Sequence, residues 1–248
     1  MLFGRKNLSM RTLAATAVAV LLFACGGVMF AKAALDIRSD NLDETFELDH
    51  IDVQLLENND AVAEDSGVLL GSMDKIVPGK VYTEAIAARN ATGDGDVEAV
   101  DQYVRIIIKK YWVNDDGSKD TTMDPSLIHL TYGNSAYNEG PWMINDKETT
   151  PERTTYYYSQ KLAGQETTPP VVNRLQLDSS IATDVSDTNL IPSSEGDVYK
   201  YTYKYDGKTI CIEADVQALQ PHNINEAIKS AWGVENVSAS GGALTVEN

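Results

Sequence analysis

The chain has 248 residues, with 20 lysines and arginines against 37 aspartates and glutamates, a formal net charge of −17. Such a surface repels phosphate backbones and anionic lipid, so neither nucleic acid nor a membrane surface is an expected partner. The length allows one large or two small domains, and two cysteines allow at most one disulfide.

The basic residues are unevenly placed. Arg5, Lys6 and Arg11 open the chain, Thr12 to Phe30 is nearly all apolar or small, and no acidic residue precedes Asp36. Ala31-Lys32-Ala33 then sets small residues at the two positions a signal peptidase reads. This is the layout of a secretory signal peptide over residues 1–33, with cleavage between Ala33 and Ala34 and a secreted or cell-surface product. Two alternatives stand beside it. The apolar run, about 19 residues, is at the short end for a retained membrane anchor. Cys25 in LLFACGG loosely resembles a lipoprotein site, with the bulky Phe23 against it. On the favoured reading the membrane is met only through the uncleaved signal. Cleavage leaves 16 basic against 37 acidic residues, a charge of −21, and Cys211 as the one remaining cysteine. No intrachain disulfide then holds the product together.

The next stretch alternates. Leu35 and Ile37 alternate with Asp36 and Arg38, as in a strand with one buried face. Phe46 and Leu48 share one phase, while Ile51, Val53 and Leu55 share the other. The switch predicts a bulge or break near His50. Residues 34–44 are therefore read as a segment separate from a domain over 45–248.

Within that domain VYTEAIAARN, SLIHLTY, TTYYYSQKL and VVNRLQLD read as strands, punctuated by Pro78-Gly79, Pro151 and Pro169-Pro170. YVRIIIKKYW, Tyr103 to Trp112, is apolar on both faces through Ile106, Ile107 and Ile108, which predicts a central strand covered on both sides. VYKYTYKYDGKTICIEADVQA carries Asp206-Gly207 between two alternating runs, a signal for a type I′ hairpin. That register sets Tyr203 opposite Ile210, Tyr201 opposite Ile212 and Tyr199 opposite Ala214. Lys200 then faces Glu213 and Thr202 faces Cys211. The Ile partners make the tyrosine stripe 199, 201, 203 and 205 a core face rather than a ligand platform. PHNINEAIKSAWG predicts one short helix near residues 224–232. Asn223 would be its N-cap in a capping box with Glu226, Ile224, Ala227, Ile228 and Ala231 its apolar face, and Gly233 its C′ residue. The fold class is all-β: a jelly-roll-like antiparallel β-sandwich with a few short helices.

Catalytic chemistry is scarce. His50, His129 and His222 stand far apart, and none lies in a zinc-protease motif. No nucleophile elbow or phosphate-binding glycine loop occurs. NATGDGDVEAVD holds Asp94, Asp96, Glu98 and Asp101 without the spacing of an EF-hand, and reads as a solvated acidic loop. No catalytic residue, cofactor or metal is expected.

The Ala-x-Ala signal, then ALDIRSDNLDETFELDHIDVQLLEN, IVPGKVYTEAIAARNATG and QYVRIIIKKYW, resembles the TasA/camelysin family of bacterial exported proteins. AGQETTPPV and VQALQPHNINEAIKSAWG are similar to relatives of that family, and the resemblance runs in order over most of the chain. It implies a jelly-roll sandwich, export through a signal peptidase of the endoplasmic-reticulum type, and assembly into biofilm-type extracellular matrix fibres. In fibre-forming members the mature N-terminal segment leaves its own domain and adds as a strand to the next subunit. Here that donor strand would begin at Ala34 and present Leu35 and Ile37, giving a homopolymer. Camelysin relatives have been called metalloproteases; without a zinc motif that activity is not carried over. The alternative is a non-enzymatic adhesin or ligand-binding sandwich, in which Tyr132, Tyr137, Trp142 and Tyr156 to Tyr158 would converge on one surface.

Overall fold

The computed structural model describes residues 51–63, 67–70, 75–95, 98–131, 140–192 and 198–248. Its strands in chain order are β1 (Val53–Glu57), β2 (Asp60–Ala61), β3 (Val81–Asn90), β4 (Tyr103–Val113), β5 (Lys119–Asp120), β6 (Ile128–Thr131) and β7 (Trp142–Ile144). There follow β8 (Arg153–Tyr158), β9 (Val172–Leu177), β10 (Val185–Ile191), β11 (Val198–Tyr203), β12 (Thr209–Leu219), helix α1 (Ile224–Ala227), β13 (Val237–Ser240) and β14 (Ala243–Val246).

The first sheet has the order β2-β1-β3-β9-β6 and the second β12-β4-β8-β7, with β5 on the end of β4. Every pairing is antiparallel. The chain changes sheet at β3–β4, β5–β6, β6–β7 and β8–β9, the jelly-roll-like crossing expected. One core lies between the sheets. Leu55, Ile86, Ala88, Val172 and Leu175 enter it from the first sheet, and Val104, Ile106, Ile108, Trp112, Ile212 and Ala214 from the second. Burying each large aliphatic side chain contributes roughly 1.5–3 kcal/mol, so alternation along β3, β4 and β12 orients both sheets.

β4 is central, between β12 and β8. Its even residues fill the core, while its odd face is covered only over the first half: Tyr103 and Arg105 are buried, Ile107 is half-buried and Lys109 exposed. The cover is a second apolar cluster, in which Tyr157, Ile228, Trp232, Val237 and Leu244 pack with Tyr103. Arg105 lies beneath it, 5% exposed. Its Nε donates to Gln217 Oε1 at 2.9 Å, and its Nη1 donates to the Tyr157 hydroxyl at 3.1 Å and the Trp232 carbonyl at 3.2 Å. The Tyr157 hydroxyl donates to Glu148 Oε2 at 2.6 Å. Burial, then that bond, pushes Tyr157 up to about 12. A buried guanidinium is tolerable only when so fully engaged.

The helix near 224–232 forms, but its start and phase differ from expectation. Asn223 sits at φ 49°, left-handed, and makes no capping bond from its side chain. α1 passes after one turn into a π-helical turn, Ile228–Trp232, closed by Gly233 at φ 70°. Ile228 and Trp232 are buried while Ala231 is exposed. The wider turn rotates Trp232, not Ala231, onto the covered face. The tail forms a hairpin across Gly241-Gly242, with φ of 60° and 88°, a type I′ requirement that glycine meets freely.

The Asp206-Gly207 hairpin does not form. The turn is where expected, with the Lys208 N–H donating to the Tyr205 carbonyl at 3.2 Å. Only Gly207 is left-handed, at φ 74°, whereas type I′ needs both central residues so. The strands then diverge. β11 pairs with β10, setting Tyr201 opposite Thr188, Lys200 opposite Asn189 and Thr202 opposite Asp187. β12 pairs with β4, setting Ile212 opposite Lys110, Glu213 opposite Lys109 and Cys211 opposite Tyr111. Tyr199, Tyr201 and Tyr203 are 59%, 52% and 44% exposed, so they are not core residues. Tyr205 alone is, its ring 4.9 Å from that of Trp112.

Candidate functional site

β12 forms one margin of the second sheet, and it is eleven residues long. Its odd residues turn their backbone groups toward β4 and its even residues outward, as the bonds at Ile212 and Ala214 establish. Leu69 N–H donates to the Ile212 carbonyl at 2.9 Å, and Ala214 N–H donates to the Gly67 carbonyl at 2.8 Å. A strap, Gly67-Val68-Leu69-Leu70, thus lies against the middle of the strand. Leu69 anchors it in the core at 3% exposure. Gly67 is required by closeness: at φ 56°, a Cβ would stand 3.0 Å from the Ala214 carbonyl oxygen. Among the described residues no other strand pairs with this margin. The unbroken ladder to β4 fixes the same outward direction for the backbone at Val216 and Ala218. An edge of this length offers main-chain donors and acceptors to another strand.

A second exposed feature is the β10–β11 ribbon. Every residue of β10 is exposed. On one face Tyr199 lies opposite Leu190, Tyr201 opposite Thr188 and Tyr203 opposite Val185; Lys200, Asn189, Thr202 and Asp187 make the other.

The residues singled out in the sequence distribute as follows. Ala31, Ala33, Ala34, Leu35 and Ile37 lie outside the described residues, as do Cys25, His50, Asp96, Tyr132 and Tyr137. Trp142 is a core residue, 4% exposed, its Nε1 donating to the Pro169 carbonyl at 2.8 Å. Tyr157 is fully buried on the opposite face of the same sheet. Trp142 and Tyr157 therefore do not converge on one surface. His129 meets Asp178 at 3.1 Å, and His222 meets its neighbour Asn223. Asp94 pairs with Arg89 at 3.2 Å and Asp101 with Lys161 at 2.6 Å. Among the described residues no group of three or more His, Cys, Asp or Glu side chains could hold a metal ion. Cys211 is half-buried, and burial raises its thiol above the ordinary value.

The sequence reading missed two elements of this site. The strap carries one clue, a glycine ahead of an apolar Val-Leu-Leu. The exposure of the tyrosines carries none, because a period of two does not say which face is covered. Comparison of the chain with protein-family models, with curated proteins and with solved structures returns no match. What the chain defines by itself is an antiparallel β-sandwich with a long, partly strapped sheet margin.

Proposed function

We propose that this chain is an exported, non-enzymatic structural protein that polymerises head to tail. Residues 34–44 of one copy would add as a strand to the outer margin of β12 in the next. The observation that supports this most is the match between donor and acceptor. β12 has eleven residues, its outer margin is paired only at the strap among the described residues, and residues 34–44 are also eleven, with Leu35 and Ile37 alternating with Asp36 and Arg38. The resemblance to the TasA/camelysin family and the signal-like residues 1–33 point the same way. Cleavage after Ala33 frees the donor, so processing acts as the trigger. A head-to-tail contact that does not close gives a filament. The net charge of the mature chain opposes its growth at low salt, and screening promotes it.

Electron microscopy of Ala34–Asn248 beside a chain starting at Asp49 tests this. The first should form filaments and the second should stay monomeric. A peptide of residues 34–48 should bind the truncated chain and raise its Tm. Identical filaments from both chains would sink the reading. A ligand-binding surface is the second reading, favoured by the exposed stripe Tyr199, Tyr201 and Tyr203. It predicts a surface function lost in a triple Tyr→Ser variant that still forms filaments.

A further inference from the structure

Glu84 sits where the alternation of β3 demands an apolar residue. Tyr82, Glu84, Ile86, Ala88 and Asn90 share the inner face, and Glu84 is 0% exposed. Among the described residues its Oε1 has no hydrogen-bond partner, and its Oε2 accepts from Asn58 Nδ2 at 3.3 Å. Glu57, opposite Ile86, is its neighbour on the same face, and the two carboxyls act on each other. Two carboxylates are both acceptors. They can meet in a site closed to water only if one carries a proton.

Glu57 has a second role. Its Oε1 accepts the N–H of Leu70, the last residue of the strap, at 2.6 Å. Leu70 stands at φ 70°, a left-handed conformation that costs a leucine free energy and persists only while its surroundings hold it. The carboxyl pair, the Leu70 amide and the strap on β12 therefore form one chain of contacts.

We propose that a proton shared by Glu84 and Glu57 latches the strap onto β12, and that loss of this proton frees the margin to pair with a strand from a second copy of this chain. With the proton, Glu84 donates to an ionised Glu57, which holds Leu70 by a charge-assisted bond. Without it, two like charges face each other. Glu84 is fully buried and Glu57 half-buried, so Glu57 swings out and Leu70 loses its acceptor. The two backbone bonds to β12 and the Leu69 anchor are then no longer braced from Glu57.

Burial first, then the bond to Glu57 and its charge, push Glu84 up to about 7, while Asn58 pulls it down. A raised carboxyl value makes the folded state the better proton binder. Its stabilisation is complete below the ordinary value of 4.5 and is lost as pH rises through about 7. Among the described residues, Glu57 is the charged group that acts on Glu84. Asp60 of β2, opposite Glu57, and Arg174 of β9, opposite Thr83, are exposed. Glu213, opposite Val68, is engaged by the Tyr111 hydroxyl at 2.6 Å and by Lys109 at 3.9 Å.

The latch stands independently of assembly; its effect on a second copy rests on the proposed function. Hydrogen exchange of the intact chain, corrected for intrinsic rates, separates the two. Between pH 5 and 8.5, protection at Leu69, Leu70 and Ala214 should fall tenfold or more, while Asp215, turned toward β4, should not change. Glu84→Gln should abolish that fall. So should Glu57→Gln, which keeps a carbonyl acceptor for Leu70 and adds a donor for Glu84, and which stands in if Glu84→Gln fails to fold. Protection that ignores pH in the parent chain, or falls equally in the variants, overturns the latch. Filament yield of Ala34–Asn248 should rise over the same pH range in the parent alone. If the strap opens as described but filament yield follows neither pH nor variant, the latch holds and assembly through this margin fails.

Discussion

β11 and β12 flank the same turn and alternate with the same period, yet they end in opposite environments. Along β12, Ile212 and Ala214 are buried in the core and eleven residues pair with β4. Along β11, Tyr199, Tyr201 and Tyr203 lie open on a two-stranded ribbon. Their separation begins at Tyr205, which turns into the core against Trp112. It is reinforced by Lys208 Nζ, which donates to Asp120 Oδ2 at 3.0 Å and ties the start of β12 to β5. Thr122 first, through its hydroxyl and amide, and then Lys208 hold the Asp120 carboxyl down to about 2. The lesson is that alternation specifies a two-faced strand, and the partner is chosen elsewhere.

Substitution sharpens this contrast. Ile212→Ala removes a fully buried side chain between the sheets and should cost about 2–5 kcal/mol in chemical denaturation. A loss under about 1 kcal/mol would mean that β12 is no more core than β11. Gly207→Val comes next. Gly207 has φ 74° and open space around a built Cβ, so the cost is backbone strain alone, about 1–2 kcal/mol for a β-branched residue. An unchanged denaturation midpoint would show that the turn between the strands is not left-handed. Tyr201→Ala should be the smallest, within about 0.5 kcal/mol, since the residue is 52% exposed. A cost comparable with Ile212→Ala would place the ribbon face against another part of the molecule and break the comparison.

Much of the architecture was legible because it is local. The stretches read as strands at VYTEAIAARN, SLIHLTY and VVNRLQLD contain β3, β6 and β9, and TTYYYSQKL covers β8 but for Arg153. The triple isoleucine marked β4 as central, since only a strand between two neighbours and two layers needs apolar residues on both faces. Arg105 broke that pattern on one face, and its burial depends on Gln217, Tyr157 and Trp232, all remote in sequence. The reading also passed over Asn58-Asn59, whose φ values of 52° and 75° make the type I′ hairpin between β1 and β2. Asp206-Gly207 was the stronger signal and gave a different turn.

The acid pair shows the same division. Glu84 is visible in the sequence as a charge in the inward phase of VYTEAIAARN, a local conflict that often marks a functional position. That Glu57, opposite Ile86, comes to share its face, and that Glu57 also holds the strap, follows only once β1 pairs with β3.

By itself the sequence determined which segments extend, where they turn and which residues within each strand share a face. Side-chain alternation and turn chemistry act over a few residues, so those features need no partner. Only the tertiary structure decided which strand lies beside which, whether a tyrosine stripe is core or surface, and which sheet margin stays open. Those outcomes depend on long-range pairing: β12 lies against β4, more than a hundred residues earlier for its last pair, Leu219 and Tyr103. The burial gained there outweighs what the nearer strand β11 could offer.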